Sequence, residues 1–338
     1  MRPISNPPNP WLTTHVEWLD DPPPAQLHVY EEEARSALTE NESPDVPFRW
    51  SVNPYRGCAH ACAYCYARPS HQYLGFGAGT DFERRIVVKT NVHERLALEL
   101  ARPSWRREEI AFSGNTDCYQ PLEASYALTR RCLEVCLARR TPVGIVTKST
   151  LVRRDRELLA ELARGPGASV HLSIPFLDEE RARAIEPGAP TPRRRLETLR
   201  LLSQAGVRTG LAIAPVIPGL NESDIPGLLE AARAAGASSA FLMLVRLPAE
   251  VLPVFRERLA AAFPERARKV ESAVREMKGG AWNRSAFGAR MRGSGPRWEA
   301  LEQLFAIHCR RLGLNQRELA PVARPGGFRA RQGELFAG

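Results

Sequence analysis

Asn53-Pro54-Tyr55-Arg56-Gly57-Cys58-Ala59-His60-Ala61-Cys62-Ala63-Tyr64-Cys65-Tyr66 sets three cysteines within eight residues. Thiolates at this spacing can hold three corners of an iron–sulfur cube, and the segment offers no fourth cysteine. A [4Fe–4S] cluster normally takes four cysteines, so a three-cysteine loop leaves one iron open to an outside ligand. Two plainer readings compete. Spacings of i, i+4 and i+7 also describe one face of a helix, where free cysteines pack as small hydrophobes. A structural zinc site takes four Cys/His ligands, commonly as two pairs, and His60 and His71 lie close enough in sequence to be considered. Pro54 and Gly57 just before the run punctuate a chain rather than open a long helix. Only one C-x-x-C is present. The cluster is therefore the preferred reading of the loop.

Outward from this loop the chain alternates between two periodicities. Arg49 to Val52 reads as a short strand feeding the cysteines. Asn91 is placed to cap a helix through Leu100, with Val92, Leu96 and Leu100 on one face. Further strands are expected at 110–113, 143–148, 170–174, 209–217 and 240–247, separated by helices at 125–140, 151–164, 191–205 and 223–235. Thr191-Pro192 opens the third of these helices and Gly206 closes it. Six strands alternating with helices imply parallel pairing through right-handed crossovers. The fold class expected is α/β, a partial (β/α)6 TIM-like barrel with a C-terminal helical extension. Six units fall short of the eight that close a full barrel. Residues 1–47 read as a partly irregular N-terminal extension, 48–248 as the barrel core, and 249–338 as a helical extension (249–262, 264–278 and 297–312) ending in a Pro/Gly/Arg-rich tail. In such barrels the chemistry sits at the C-terminal ends of the strands. Asn115, Thr116 and Asp117, then Lys148, then Ser173 collect at those ends, on the rim that carries the cysteines.

Composition narrows the class further. The chain has 338 residues, 43% hydrophobic and 25% charged, the balance of an ordinary soluble globule. No stretch has the length of a membrane span, no signal-peptide pattern opens it, and no membrane partner is expected. Seven cysteines follow no disulfide framework, which suits a reducing cytoplasm. The formal charge of +9 is carried almost wholly by Arg, since Lys occurs only at 89, 148, 269 and 278. It is compatible with nucleic acid or an anionic substrate, although most basic residues alternate with carboxylates on helix faces. A monomer is expected.

The three cysteines after a first strand, on a six-unit βα chain, resemble the radical S-adenosylmethionine superfamily. Within it the sequence is similar to the spore photoproduct lyase-like branch, through the cysteine segment, Thr116-Asp117-Cys118-Tyr119-Gln120-Pro121-Leu122-Glu123, Glu186-Pro187-Gly188-Ala189-Pro190-Thr191-Pro192 and Ala214-Pro215-Val216-Ile217-Pro218-Gly219. The resemblance implies a [4Fe–4S] cluster on Cys58, Cys62 and Cys65, with S-adenosylmethionine (SAM) chelating the open iron. A one-electron donor such as flavodoxin or ferredoxin would then drive its cleavage to a 5′-deoxyadenosyl radical. It further implies Tyr64 against the adenine, Asn115, Thr116 and Asp117 at the methionine amino group, Lys148 at its carboxylate, Ser173 at the ribose or carboxylate, and Val216 with Ile217 at the adenine edge. The hydrogen-donor cysteine of spore photoproduct lyase falls on Gly114 here. Cys118, just past Asp117, is the remaining candidate for a catalytic thiol, while Cys132, Cys136 and Cys309 read as core. The alternative is a metal- or cluster-bearing nucleic-acid-binding protein without radical turnover.

Overall fold

A computed structural model describes residues 26–316. Its strands run in chain order as β1 (His28–Glu32), β2 (Leu38–Glu40), β3 (Trp50–Val52), β4 (Tyr55–Arg56), β5 (Arg85–Lys89), β6 (Ile110–Phe112), β7 (Val143–Thr147), β8 (Ala168–Ser173), β9 (Arg208–Val216) and β10 (Ser239–Leu244). The central strands are rich in the β-branched and aromatic residues that fit a pleated, buried surface. Along β7, Val143, Ile145 and Thr147 point inward while Val146 stands exposed.

Seven strands form one sheet in the order β10-β9-β8-β7-β6-β3-β2. Every pairing in it is parallel except that of β2 with β3. The six parallel strands lie side by side in the order in which the chain makes them, with no reversal. Right-handed crossovers then place successive helices on the same face, and all six strands end on one edge. The fold is thus mixed α/β with a mostly parallel sheet. Among the described residues β10 and β2 are its two edges, and no pairing joins them.

A second sheet, β1-β5-β4, escapes the sequence periodicity. Its middle strand, Arg85-Ile86-Val87-Val88-Lys89, buries Ile86, Val87 and Val88, but β4 is only two residues long and β1 is distant in the chain. Asn91 also behaves differently from the expected cap. Helix Val92–Leu100 forms, but the Asn91 amide accepts from Ala34 N–H at 2.7 Å and donates to its carbonyl at 3.2 Å. It clamps the chain between β1 and β2 instead.

The helix expected over 125–140 is broken. Glu123–Tyr126 is a short helix, Ala127 turns left-handed (φ 52°), and Leu128–Ala138 resumes with Leu128, Cys132 and Cys136 inward. The C-terminal helices Val251–Ala262, Pro264–Met277 and Pro296–Leu312 close the described chain. Trp298, Leu301 and Cys309 of the last join the main core. Val251, Phe255, Leu259, Val270 and Val274 form a second core with Cys62, Ala63 and Tyr64. The helical extension therefore packs directly behind the cysteine loop. No described helix is long and apolar enough to cross a membrane. The Pro-rich start and the tail from Pro321 lie outside the described residues.

Candidate metal centre

The cysteine loop leaves the sheet at Val52 and is built from turns. Asn53 accepts the Asn115 N–H at 2.8 Å and so ties the ends of β3 and β6 together. Gly57 lies at φ +79°, where a Cβ would meet Ile86 Cδ1 and the Phe82 carbonyl oxygen at 2.9 Å, so glycine is required. Cys58 N–H then donates to that carbonyl at 2.9 Å, Ala61 N–H to Cys58 O and Cys65 N–H to Cys62 O, both at 3.2 Å, and Ala63 N–H to Ile185 O at 2.9 Å. No helix carries the three cysteines, which removes the helix-face reading of their spacing.

Cys58 and Cys62 are buried, Cys65 is half-buried, and all three thiols are free. Burial pushes each up, Cys62 to about 12. Asp117, Cys62 and Cys65 raise Cys58 further. The His60 and Ala67 amides donate to Cys58 and Cys65 and work the other way. Three such thiols become thiolates together only beside a strong cation. Three free thiols on one loop, with amide donors aimed at two of them, suit a metal cluster. Among the described residues no three His, Cys, Asp or Glu side chains converge on a single ion, whereas a cube offers a separate iron to each cysteine. His60 and His71 do not join the sulfurs. His60 Nδ1 stands 3.3 Å from Asp117, and His71 bonds the Arg85 carbonyl at 2.8 Å among Phe76 and Phe82. Burial takes the His71 ring down to about 4.

Groups that sequence reasoning passed over hold this loop. Arg68, fully buried, donates to the Cys62 carbonyl at 2.9 and 3.2 Å and to Ala78 O and Gly79 O at 2.9 and 3.0 Å, and pairs with Glu83 at 2.5 Å. Arg258, from the C-terminal extension, reaches the same Glu83 at 3.3 Å. Gln120 accepts from Ala59 N–H at 3.2 Å and donates to Gly57 O at 3.0 Å. Only Gln120 lies in a segment that carries the resemblance, and a sequence shows a charge or amide without its partner.

The rim residues divide. Asp117 and Lys148 face the cysteines. The Asp117 carboxylate accepts from the Thr147 hydroxyl at 2.7 Å and from Lys148 N–H at 2.8 Å and Tyr119 N–H at 2.9 Å. Burial opposes its ionisation, but His60, the Lys148 amide and Thr147 outweigh burial and hold the carboxyl well below its usual range. The Lys148 ammonium lies 5.6 Å from the Tyr64 ring centroid, near Cys62 and Glu186, and donates no hydrogen bond among the described residues. Tyr64 is buried and donates to Glu186, which also pairs with Arg195 at 2.6 Å. Arg195 Nη1 in turn donates to the Ser173 carbonyl at 2.8 Å. Asn115 donates to Ser70 at 3.2 Å. Thr116 turns away to the Tyr55 carbonyl at 2.7 Å, Ser173 donates to Ala214 O at 3.1 Å, and Val216 is wholly buried. Cys118 is fully buried in the main core, where desolvation raises its thiol well above the usual range.

One loop at an end of the parallel sheet thus carries three free thiols, with Asp117 and Lys148 close by. The family profile of the Radical SAM superfamily matches residues 52–232. The chain belongs to that superfamily and is a radical SAM enzyme. It is 44% identical over 236 residues to an uncharacterised protein of Mycobacterium tuberculosis (strain ATCC 25618 / H37Rv), covering 68% of this chain and 69% of that one. A Radical SAM Nalpha-GlyT isomerase of Pseudomonas phage M6 is 26% identical over 236 residues, covering 68% and 46%. Among solved structures, spore photoproduct lyase complexed with dinucleoside spore photoproduct superposes with a TM-score of 0.60 at 17% identity, over 85% of this chain and 80% of that one.

Proposed function

We propose that Cys58, Cys62 and Cys65 hold a [4Fe–4S] cluster whose open iron takes SAM. A cluster bound in this way supplies the electron that splits SAM into methionine and a 5′-deoxyadenosyl radical. The observation that carries the reading is a single loop of turns bearing three free thiols, with the Lys148 ammonium near Cys62 and 5.6 Å from the Tyr64 ring centroid. Lys148 suits the methionine carboxylate, because its half-buried ammonium donates no hydrogen bond among the described residues and is open to an anion. Asp117 supplies negative charge next to it for the methionine ammonium, and its contact with Lys148 N–H fixes the two groups relative to each other. Asn115 stands at the same strand end. Ser173 and Tyr64 form the walls toward ribose and adenine, with Tyr64 held by Glu186, while Val216 packs in the core. The parallel sheet, wound in one direction with its edges unjoined, supports a partial (β/α)6 barrel whose mouth these residues line. Seven free cysteines support a reducing compartment and a cytoplasmic electron donor of the flavodoxin or ferredoxin kind. Cys118 packs in the core and is not assigned a hydrogen-transfer role.

Anaerobic reconstitution followed by chromatography for 5′-deoxyadenosine tests this function. Cys62→Ala should abolish both the cluster absorbance and product formation, whereas Cys118→Ala should keep product within about twofold while losing roughly 1 kcal/mol of stability. Full cleavage by Cys62→Ala would overturn the assignment.

A further inference from the structure

β10 ends at Leu244, and Val245-Arg246 continues onto the sheet edge that carries the cysteine loop. Resting on the radical SAM reading, we propose that Arg246, with Lys278, Arg284 and Arg290 around it, binds a phosphoryl group of the substrate, and that Tyr66 flanks the planar ring attached to that group. The Arg246 guanidinium lies 5.8 Å from the centroid of the Tyr66 ring. Tyr66 directly follows the third cysteine, and its hydroxyl donates to the Gly114 carbonyl at 3.0 Å. The subsite therefore abuts the cluster loop.

Among the described residues Arg246 makes no hydrogen bond or ion pair, and its buried Nε has no partner. A guanidinium kept partly out of water in that state is unfavourable until an anion reaches it. The surroundings do not supply one. Lys278 is 1% exposed and donates to the carbonyls of Arg290 and Arg292 at 3.0 and 3.4 Å. Burial, then the charges of Arg246 and Arg284, push its amine down to about 8. Arg290 also acts on Arg246. Among the described residues Asp45 is the carboxylate whose charge acts on Arg246 and Arg290, and it is already taken by Arg290 and by Gly288 N–H. Four cations against one committed carboxylate leave an excess of positive charge that suits a phosphoryl group, whose oxygens match the guanidinium fork. An exposed tyrosine beside an arginine is a platform on which a base stacks. The chemistry is that of a nucleotide, free or within a strand.

The full-length protein, without reductant or SAM, is titrated by fluorescence anisotropy with a labelled single-stranded DNA oligonucleotide and separately with labelled AMP. Arg246→Gln should weaken whichever probe binds by roughly tenfold or more. For the strand it should also flatten the dependence of log affinity on log salt by about 0.7. Arg284→Gln should weaken binding several-fold, and Arg310→Gln, exposed on the last helix, should leave it within twofold. Preference for the oligonucleotide assigns a strand, and preference for AMP a free nucleotide. Binding of neither probe, an unchanged affinity in both Arg246→Gln and Arg284→Gln, or an equal loss in Arg310→Gln overturns the proposal. Because binding is read without cofactor cleavage, failure here is separate from failure to form 5′-deoxyadenosine.

Discussion

Gly188 meets the cysteine loop backbone to backbone, and Gly188→Ala is predicted to damage the proposed cluster site from outside it. Gly188 N–H donates to the His60 carbonyl at 3.0 Å. A Cβ on Gly188 would stand 2.1 Å from the Ala59 carbonyl oxygen and 3.0 Å from His60 Cα and carbonyl carbon. These are main-chain atoms between Cys58 and Cys62, so no rotamer change relieves the clash. Reaching even 3.4 Å, the near limit of ordinary contact, means a displacement of about 1.3 Å (3.4 less 2.1). Overpacking of this kind costs about 1–3 kcal/mol, and loss of the hydrogen bond about 1 more. The midpoint of thermal unfolding should fall by roughly 4–8 °C. The moved segment joins two of the three cysteines, so reconstituted iron and sulfide per chain should fall with it. Gly227→Ala is the matched control. Its Cβ would approach an atom at 2.7 Å, but that atom is the tip of the 38%-exposed Leu177 side chain, which can swing away. Alanine there also gains about 1 kcal/mol of helix propensity. Full iron content and an unmoved melting point in Gly188→Ala would refute the reasoning that backbone contact fixes this loop.

Glu123 is fully buried and accepts from the Tyr55 hydroxyl at 2.5 Å, Arg154 at 2.6 Å, and the Thr129 and Arg130 amides at 2.9 and 3.3 Å. Glu123→Gln sets an amide N–H against a donor and should cost roughly 2–4 kcal/mol in denaturant unfolding; a change under about 0.5 would contradict that role. His171 should make stability fall in mild acid. Burial, with Arg208 beside it, lowers the ring from 6.5 to about 4. Between those values the unfolded chain binds the proton and the folded one does not. The neutral-ring contribution is therefore whole above about 6.5, is lost as the pH falls toward 4, and then levels off. In His171→Gln the drop in unfolding free energy across that window should be smaller, and an unchanged drop would exclude His171 as its source.

How far the sequence was legible depends on whether the information was local. The six parallel strands announced themselves as short runs of Val, Ile, Leu and Phe between helical periods, and the rim followed because parallel strands end together. The sheet β1-β5-β4 did not, since it joins a two-residue strand to partners distant in the chain. Thr116 and Val216 sit at rim positions in sequence but turn inward, to the Tyr55 carbonyl and the core. Strand-end position alone does not tell which way a side chain points. Arg68, Glu83, Arg195 and Glu186 were illegible for another reason. Charged residues normally read as surface, and only the fold shows that these four are 3% exposed or less and paired.

Those buried pairs explain how a loop of turns can keep the shape that the proposed cluster site needs. Such a loop has no helix or strand ladder of its own to fix its backbone. The chain anchors the loop from outside. Arg68 takes the Cys62 carbonyl, Gln120 brackets Gly57 and Ala59, Ile185 and Gly188 hold Ala63 and His60, and Phe82 holds Cys58. Arg258 then ties Glu83, and through it Arg68, to the helical extension. Three cysteines carry the proposed iron chemistry, but residues from far along the chain keep their geometry. The C-terminal helices are accordingly part of the site's construction, because Val251, Phe255 and Leu259 share a core with Cys62 and Tyr64.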